Sequence, residues 1–173
     1  AFIFCASSFV PAFLPLNYVW MRRFFHSELE AFRSNLVLMG ERSIELVRMS
    51  LPALSNQDPD LGRSVLEKDD AVDELEVLID SEAVRYISLR APVAGELRLL
   101  TVGMKAGHDL ERVGDEACTI AKRVIRLSGR MPVKDLLHLP EMGETAVVLL
   151  RDALDSFLEE DLEKARTIPV RDR

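Results

Sequence analysis

The stretch that decides the fold is residues 99–129, which read LLTVGMKAGHDLERVGDEACTIAKRVIRLSG. Apolar and small residues recur in it at steps of four and three, the spacing of one face of an α-helix. This row consists of Leu99, Gly103, Ala106, Leu110, Val113, Ala117, Ile120, Val124 and Leu127. Gly129, followed by Pro132, is typical of a helix end. The pattern predicts a helix from about Val93 to Ser128 whose small residues let a neighbouring helix approach closely.

Two further helices are predicted upstream of this stretch. The first begins at about Phe24, and its apolar row consists of Leu29, Phe32, Leu36, Met39, Ser43, Leu46 and Ser50. The second runs from about Asp60 to Leu89, with a core row of Leu61, Val65, Val72, Leu75, Ile79 and Tyr86. Turn residues separate the helices at 56–59 and 90–92. Three long helices joined by short turns predict an all-α antiparallel three-helix bundle.

The segment after residue 130 resembles the first helix. A shift of 103 residues places Met39-Gly40-Glu41 on Met142-Gly143-Glu144 and Asp58 on Asp161 without a gap. This register predicts an internal repeat. We expect a fourth helix that starts near Asp135 or Pro140 and runs unbroken to about Thr167. It would be the first helix of a second, incomplete bundle, with residues 167–173 lying loose.

The predicted organisation is therefore a leader at 1–21, a first three-helix repeat at 22–130 and a truncated second repeat at 131–173. The leader carries no charge, but Pro11 and Pro15 interrupt it, and it lacks the basic start of a signal peptide. Two interpretations stay open. The reading frame is over-extended and the natural start is Met21, or the leader is a membrane anchor or the end of a preceding membrane domain.

Composition narrows the function classes. The 173 residues include 22 Lys and Arg against 29 Asp and Glu, a net charge of −7. An acidic chain argues against nucleic acid as the main partner, because neutralising phosphates requires a basic face. Cys5 and Cys118 form no disulfide framework and suit a reducing compartment. We expect Cys118 to be a packed thiol.

Two acidic columns are the candidate functional residues. On the second helix the column is formed by Asp69, Asp73, Glu76 and Asp80, and on the third by Glu111 and Asp115, with His108 on the same face. Like charges at this spacing destabilise a helix, so the columns call for cations. The cations would be basic side chains of a neighbour or a metal ion. A solvated surface, with the third-helix pair opposite the core row, stays the alternative.

Catalytic motifs are missing from the sequence. It contains no Glu-x-x-His, no glycine-rich phosphate-binding loop and no Gly-x-Ser-x-Gly elbow. His108 has no nucleophile beside it in the sequence. We therefore expect a binding protein and not an enzyme.

Three motifs are distinctive in combination: Asp109-Leu-Glu-Arg-Val-Gly-Asp115, Glu67-Lys-Asp-Asp-Ala-Val-Asp-Glu-Leu-Glu76, and the turn at Leu89-Arg-Ala-Pro-Val-Ala94. Through these motifs the sequence from about residue 21 onward resembles the PhoU family of phosphate-signalling proteins. The resemblance implies two repeated three-helix bundles, of which this chain holds the first and the opening helix of the second. It also implies surface clusters of iron or zinc on E(D)-x-x-x-D motifs, here Asp69 with Asp73 and Glu111 with Asp115, with Glu76, Asp80 and His108 as further donors.

The resemblance further implies a function and partners. Family members are cytoplasmic negative regulators that link the phosphate ABC transporter to a sensor histidine kinase. The expected partners are therefore the transporter ATPase and the kinase, with contact to the membrane only through them. Apolar faces left by the incomplete bundle favour a homodimer. The alternative function is the cytosolic PhoU-like domain of a sodium–phosphate cotransporter, with residues 1–21 as the end of its membrane region.

Overall fold

The computed structural model describes residues 16–129 and 138–172, with side chains from residue 27 onward. This part of the chain forms five helices and no strand, which confirms the all-α class. The helices are α1 (Leu16–Asn56), α2 (Pro59–Arg90), α3 (Ala94–Leu127), α4 (Leu139–Leu158) and α5 (Leu162–Arg171). The first three pack against one another as a bundle, α4 packs against α1, and α5 packs against α4.

The turns of the bundle lie where the sequence predicts them. Gln57 adopts a left-handed φ of 52° after α1, and Asp58 caps α2 by accepting hydrogen bonds from the backbone N–H groups of Asp60 and Leu61. Ala91 makes the left-handed turn after α2, with a φ of 46°. Each of these residues ends or starts a helix through local backbone chemistry, which is why sequence alone locates them.

The start of α1 differs from the prediction. The helix begins at Leu16 and not near Phe24, so the last residues of the uncharged leader belong to it. Residues 1–15 and the predicted helix start at Asp135 lie outside the described residues, and the choice of Met21 as natural start stays a prediction. None of the helices in the described ranges carries an apolar run long enough to cross a bilayer.

The buried residues confirm the predicted apolar row of α1. On α3, the buried face is rotated away from the predicted row. All seven predicted residues of α1 are buried. On α3, Gly103, Leu110, Ala117 and Val124 of the predicted row are buried, but its other members are only half-buried, namely Leu99, Ala106, Val113, Ile120 and Leu127. A row of mostly small residues takes their place against α2, consisting of Leu100, Gly107, Gly114, Cys118 and Ala121. The helical period was right, but the face was displaced because small residues, and not large ones, mark the tightest contact.

The prediction of one unbroken fourth helix is wrong. The helix stops at Leu158 because Glu160 adopts a left-handed φ of 56°, and Asp161 then caps α5 through the backbone N–H groups of Glu163 and Lys164. Residues 167–171 do not lie loose, because α5 continues to Arg171, whose guanidinium pairs with Asp152. Gln57 and Glu160, like Asp58 and Asp161, are separated by 103 residues. The structure therefore repeats the α1–α2 turn between α4 and α5.

Within residues 16–129 and 138–172, nothing covers one face of α4 in the way that α3 covers its counterpart on α1. Leu36 and Met39 of α1 lie under Gly103 and Gly107 of α3. Met39 is fully buried, whereas Met142, at the equivalent position of α4, is 63% exposed. Met142 lines a mostly apolar groove bounded by α1, α3 and α4. Its apolar lining includes Val47, Leu51, Val113, Ile120, Leu139 and Ala146, and Asp109, Arg112 and Glu116 of α3 line it as well.

Candidate functional site

The candidate site lies along the seam where α2 and α3 run antiparallel. A Cβ atom at Gly107 would lie 3.6 Å from Cγ2 of Ile79, and one at Gly114 would lie 3.6 Å from Cγ1 of Val72. These glycines bring the two helices close enough for side chains at the rim of the seam to meet across it. Acidic residues on both rims therefore form one surface.

Three predicted residues meet at the centre of this surface. His108 Nδ1 lies 3.2 Å from Glu76 Oε1 and 3.8 Å from Glu111 Oε2. Their ligand atoms all lie within 4.8 Å of one another. One imidazole nitrogen and two carboxylates form a donor set that suits zinc, iron or manganese. By the chemistry of its donors, the group fits a divalent transition metal, and we name it the His108 triad.

Two more carboxylates, those of Asp115 and Asp73, lie close enough to the triad to raise the pKa of Glu111. Burial raises the pKa of Glu111, and the charges of Asp115 and Glu76 raise it further, while His108 lowers it. Burial likewise raises the pKa of Asp73, followed by the charges of Asp69 and Asp115. Five carboxylates from two helices thus share one electrostatic environment. These five carboxylates and His108 form a surface that we call the acidic face. It consists of Asp69, Asp73, Glu76, His108, Glu111 and Asp115.

The structure corrects one expectation about this face. The helical wheel put Glu111 and Asp115 opposite the core, but the Glu111 side chain is only 22% exposed and borders α2. The rotation of α3 causes this difference, because the small-residue row next to Glu111 is the row that packs. Asp80, the last member of the predicted α2 column, is exposed and is not part of the triad.

Sequence reasoning missed two residues beneath the acidic face. A Cβ at Gly114 would lie 3.0 Å from Oδ1 of Asp69. Cys118, one turn further along α3, is buried, which confirms the expected packed thiol. Burial first, and then the neighbouring Asp69, raise the pKa of Cys118 to about 12, so the thiol stays protonated at neutral pH. The signal available in the sequence was a glycine and a cysteine four residues apart on the face next to the acids.

Comparison with known proteins identifies the family. The model of the PhoU domain matches residues 36–124. The phosphate-specific transport system accessory protein PhoU homolog of Clostridium acetobutylicum is 32% identical over 152 residues, which cover 87% of this chain and 69% of that protein. The Escherichia coli accessory protein PhoU is 34% identical over 149 residues, with 86% of this chain and 62% of that protein covered.

Solved structures agree with the sequence matches. The crystal structure of PhoU from Pseudomonas aeruginosa matches with a TM-score of 0.77 and 36% identity, covering 83% of this chain and 69% of that chain. The phosphate transport system regulatory protein PhoU from Streptococcus pneumoniae matches with a TM-score of 0.75 and 28% identity, covering 83% and 68%. The chain thus spans roughly two thirds of the length of these relatives, and it belongs to the PhoU family.

Proposed function

We propose that this chain is an accessory regulator of phosphate transport that acts by binding. The names of its relatives, which are accessory proteins of the phosphate-specific transport system, support this role. The observation that carries the proposal is the acidic face with the His108 triad at its centre. The face offers a docking surface for basic patches, directly or through a bound cation, since charge complementarity sets partner choice and association rate.

The cation is proposed to be iron or zinc. The donors would be Asp69 and Asp73 from α2 and Glu111 and Asp115 from α3, with Glu76 and His108 completing the set. The geometry of the triad and the raised pKa values of Asp73 and Glu111 support this assignment, because a cation relieves the repulsion between neighbouring carboxylates. When bound, the metal supplies positive charge to an otherwise acidic surface.

The finer role is negative regulation of phosphate uptake and of phosphate-starvation signalling in the cytoplasm. The proposed partners are the ATPase of the phosphate ABC transporter and the sensor histidine kinase, with membrane contact only through them. A homodimer is also proposed, since the apolar groove beside α4 is open to a second copy. No catalytic step is part of the proposal.

The first experiment measures metal in protein purified without chelator. The parent is compared with Asp69→Ala/Asp73→Ala/Glu111→Ala/Asp115→Ala. The control is Glu67→Ala/Glu74→Ala/Asp109→Ala/Glu116→Ala, which removes the same charge from exposed positions of the same two helices. Stoichiometric metal in the parent and the control, and its loss from the first variant, supports the site. Parent protein without metal contradicts the metal assignment.

Partner binding is tested separately. The kinase and the transporter ATPase are captured on immobilised parent, acidic-face variant and control, with and without added metal. Binding that only the acidic-face variant loses supports the regulator. Equal binding by the parent, the acidic-face variant and the control would contradict a role of the acidic face in partner binding.

The cotransporter alternative depends on residues 1–21, most of which lie outside the described part of the chain. The genomic sequence upstream of the codon for Ala1 separates the two functions. Further apolar spans in frame would favour the cotransporter, and a start codon at Met21 would favour the regulator.

A further inference from the structure

The second helix pair, α4 with α5, is joined by different chemistry from the first pair, α1 with α2. A shift of 103 residues places Leu61 of α2 on Lys164 of α5, and Met49 of α1 on Asp152 of α4. Leu61 and Met49 are both half-buried, and Met49 packs against the core of the bundle. At these two positions the second copy of the repeat therefore carries charges where the first copy carries apolar side chains.

Four charged side chains join α5 to α4. Lys164 Nζ lies 3.3 Å from Asp152 Oδ1 and 3.1 Å from Asp155 Oδ2, and the guanidinium of Arg171 pairs with Asp152 as well. The hydrogen bond from Arg171, followed by that from Lys164, lowers the pKa of Asp152, so its carboxylate is ionised at neutral pH. We call these four residues, Asp152, Asp155, Lys164 and Arg171, the α5 latch.

Apolar contact adds little to the attachment of α5. None of its ten described residues is buried, whereas the first turns of α2 bury Gly62 and Val65. Ile168, the counterpart of Val65, is only half-buried. A helix of this length is marginal in water when it packs on nothing. The α5 latch therefore decides whether α5 stays helical and docked on α4.

α5 also forms one wall of a cavity between α3 and α4. Leu162 and Ala165 of α5 line this cavity of about 640 Å³, together with Leu99 and Val102 of α3 and Ser156 of α4. Ser156 is only 7% exposed. Release of α5 removes this wall and exposes Ser156.

We propose that α5 is a gate of this cavity, which the α5 latch holds closed and which opens when ions screen the latch. The four side chains are partly exposed, and charges in water interact over about 10 Å at 0.1 M salt but only about 3 Å at 1 M. α2 also has an ion pair to α1, between Lys68 and Glu45, but its buried apolar residues hold it without that pair. The gate is independent of the cation proposed for the acidic face.

Hydrogen exchange of the whole chain, measured by mass spectrometry, tests the latch. Raising NaCl from about 0.1 M to about 1 M should speed the exchange of α5 about tenfold and that of α2 less than about twofold. Asp152→Asn should speed the exchange of α5 to a similar extent at the lower salt concentration. Lys68→Gln is the matched control, because it breaks the ion pair of α2 and should leave α2 protected.

A further variant replaces the charges by apolar contact. Asp152→Met/Lys164→Leu gives α4 and α5 the residues that α1 and α2 carry at the equivalent positions of the repeat. α5 should stay protected in this variant, and its exchange should change less than about twofold between the two salt concentrations.

Opening of the cavity has a readout of its own. Ser156→Cys, made in a Cys5→Ser background, places a thiol in the lining of the cavity, while the thiol of Cys118 is buried. Labelling of the new thiol by a maleimide should speed up about tenfold at the higher salt concentration, in step with the exchange of α5. Ser55→Cys, at an exposed position of α1, is the control and should be labelled at the same rate at both salt concentrations.

The outcomes separate a gate from a merely frayed helix. If α5 exchanges at the same rate at both salt concentrations, the latch is overturned. If the exchange of α5 speeds up while labelling of Ser156→Cys does not, α5 frays without opening the cavity, and the gate is overturned. Should Asp152→Asn not fold, the salt dependence of exchange and labelling decides alone.

Discussion

Gly40 of α1 lies directly beneath Leu154 of α4, so closely that a Cβ atom at Gly40 would overlap the end of the leucine side chain. The reciprocal contact also exists, because Gly143 lies beneath Leu51 in the same way. Each glycine and each leucine is 103 residues from its counterpart, so the two contacts are related by the internal repeat. α1 and α4 therefore cross antiparallel about a local two-fold relationship, and Arg151 pairs with Glu41 across the same crossing at 3.0 Å.

The crossing predicts the effect of filling a glycine. Gly40→Leu should destabilise the packing of α4 by about 1–3 kcal/mol, the usual cost of overpacking a close contact. Because α4 packs on the bundle through α1, α4 and α5 should lose amide protection first while α2 and α3 keep it. Hydrogen exchange measured by mass spectrometry tests this order.

Two further variants sharpen that test. Gly95→Leu is the control, since a Cβ at Gly95 meets nothing within 4 Å. Leu154→Ala in the Gly40→Leu background should restore part of the lost protection. Equal loss of amide protection in all five helices would contradict the prediction that α4 loosens independently of the bundle.

The two repeated caps predict unequal effects of the same substitution. Asp58→Ala and Asp161→Ala each remove a cap that accepts two backbone hydrogen bonds, at a cost of about 1 kcal/mol. Asp58 starts a helix that contributes to the core, so its loss should lower the midpoint of global unfolding. Asp161 starts α5, which among the described residues packs on α4 alone, so its loss should melt α5 and leave the midpoint nearly unchanged. Urea unfolding followed by circular dichroism measures the midpoint of each variant, and hydrogen exchange measures the protection of α5. Equal shifts of the midpoint in Asp58→Ala and Asp161→Ala would contradict this expectation.

The acidic face predicts a pH dependence of stability in metal-free protein. The pKa of Glu111 is raised in the folded state, so its ionisation costs more there than in the unfolded chain. That cost is absent below the unfolded pKa and is fully present once the pH exceeds the folded pKa. Glu111→Gln should therefore stabilise the apoprotein at pH 7 by about 0.5 kcal/mol, the scale of a partly exposed charge interaction.

The gain from Glu111→Gln should shrink as the pH falls through the raised pKa. Urea unfolding in chelator at several pH values measures it, with Glu67→Gln, an exposed acid outside the acidic face, as control. A Glu111→Gln variant that is less stable than the parent at pH 7 would refute the argument that ionised Glu111 costs the folded state stability.

The open face of α4 predicts self-association. Met142 and Leu139 line an apolar groove, and such a surface favours contact with a second copy. Met142→Glu should shift sedimentation toward the monomer. Val77→Glu, which changes an exposed apolar residue of α2 away from the groove, should not. A parent that sediments as a monomer at high concentration would rule out this role of the groove.

Different parts of the molecule were predictable to different degrees. The turns at Asp58 and Ala91 and the end of α3 at Leu127 follow from capping and turn chemistry within a few residues. The break at Glu160 was not predicted, although its counterpart Gln57 is part of a predicted turn. The repeat aligned Asp58 with Asp161, but the turn that precedes the cap was not carried over to the second copy. For the candidate site, the sequence identified the residues of both acidic columns. It did not identify which of these residues contact one another across the two helices.

What the sequence determined by itself was local: the amphipathic periodicity of four predicted helices, the turns at 56–59 and 90–92, a 103-residue repeat and acids on the faces of two helices. The tertiary structure decided which faces meet. It rotated α3 so that Gly107 and Gly114 contact α2, joined Glu76, His108 and Glu111 into the His108 triad, and placed Asp69 over Gly114 beside Cys118. Periodicity reports the large apolar residues of a helix, whereas the closest approach of two helices is set by where side chains are smallest, and that depends on both partners at once.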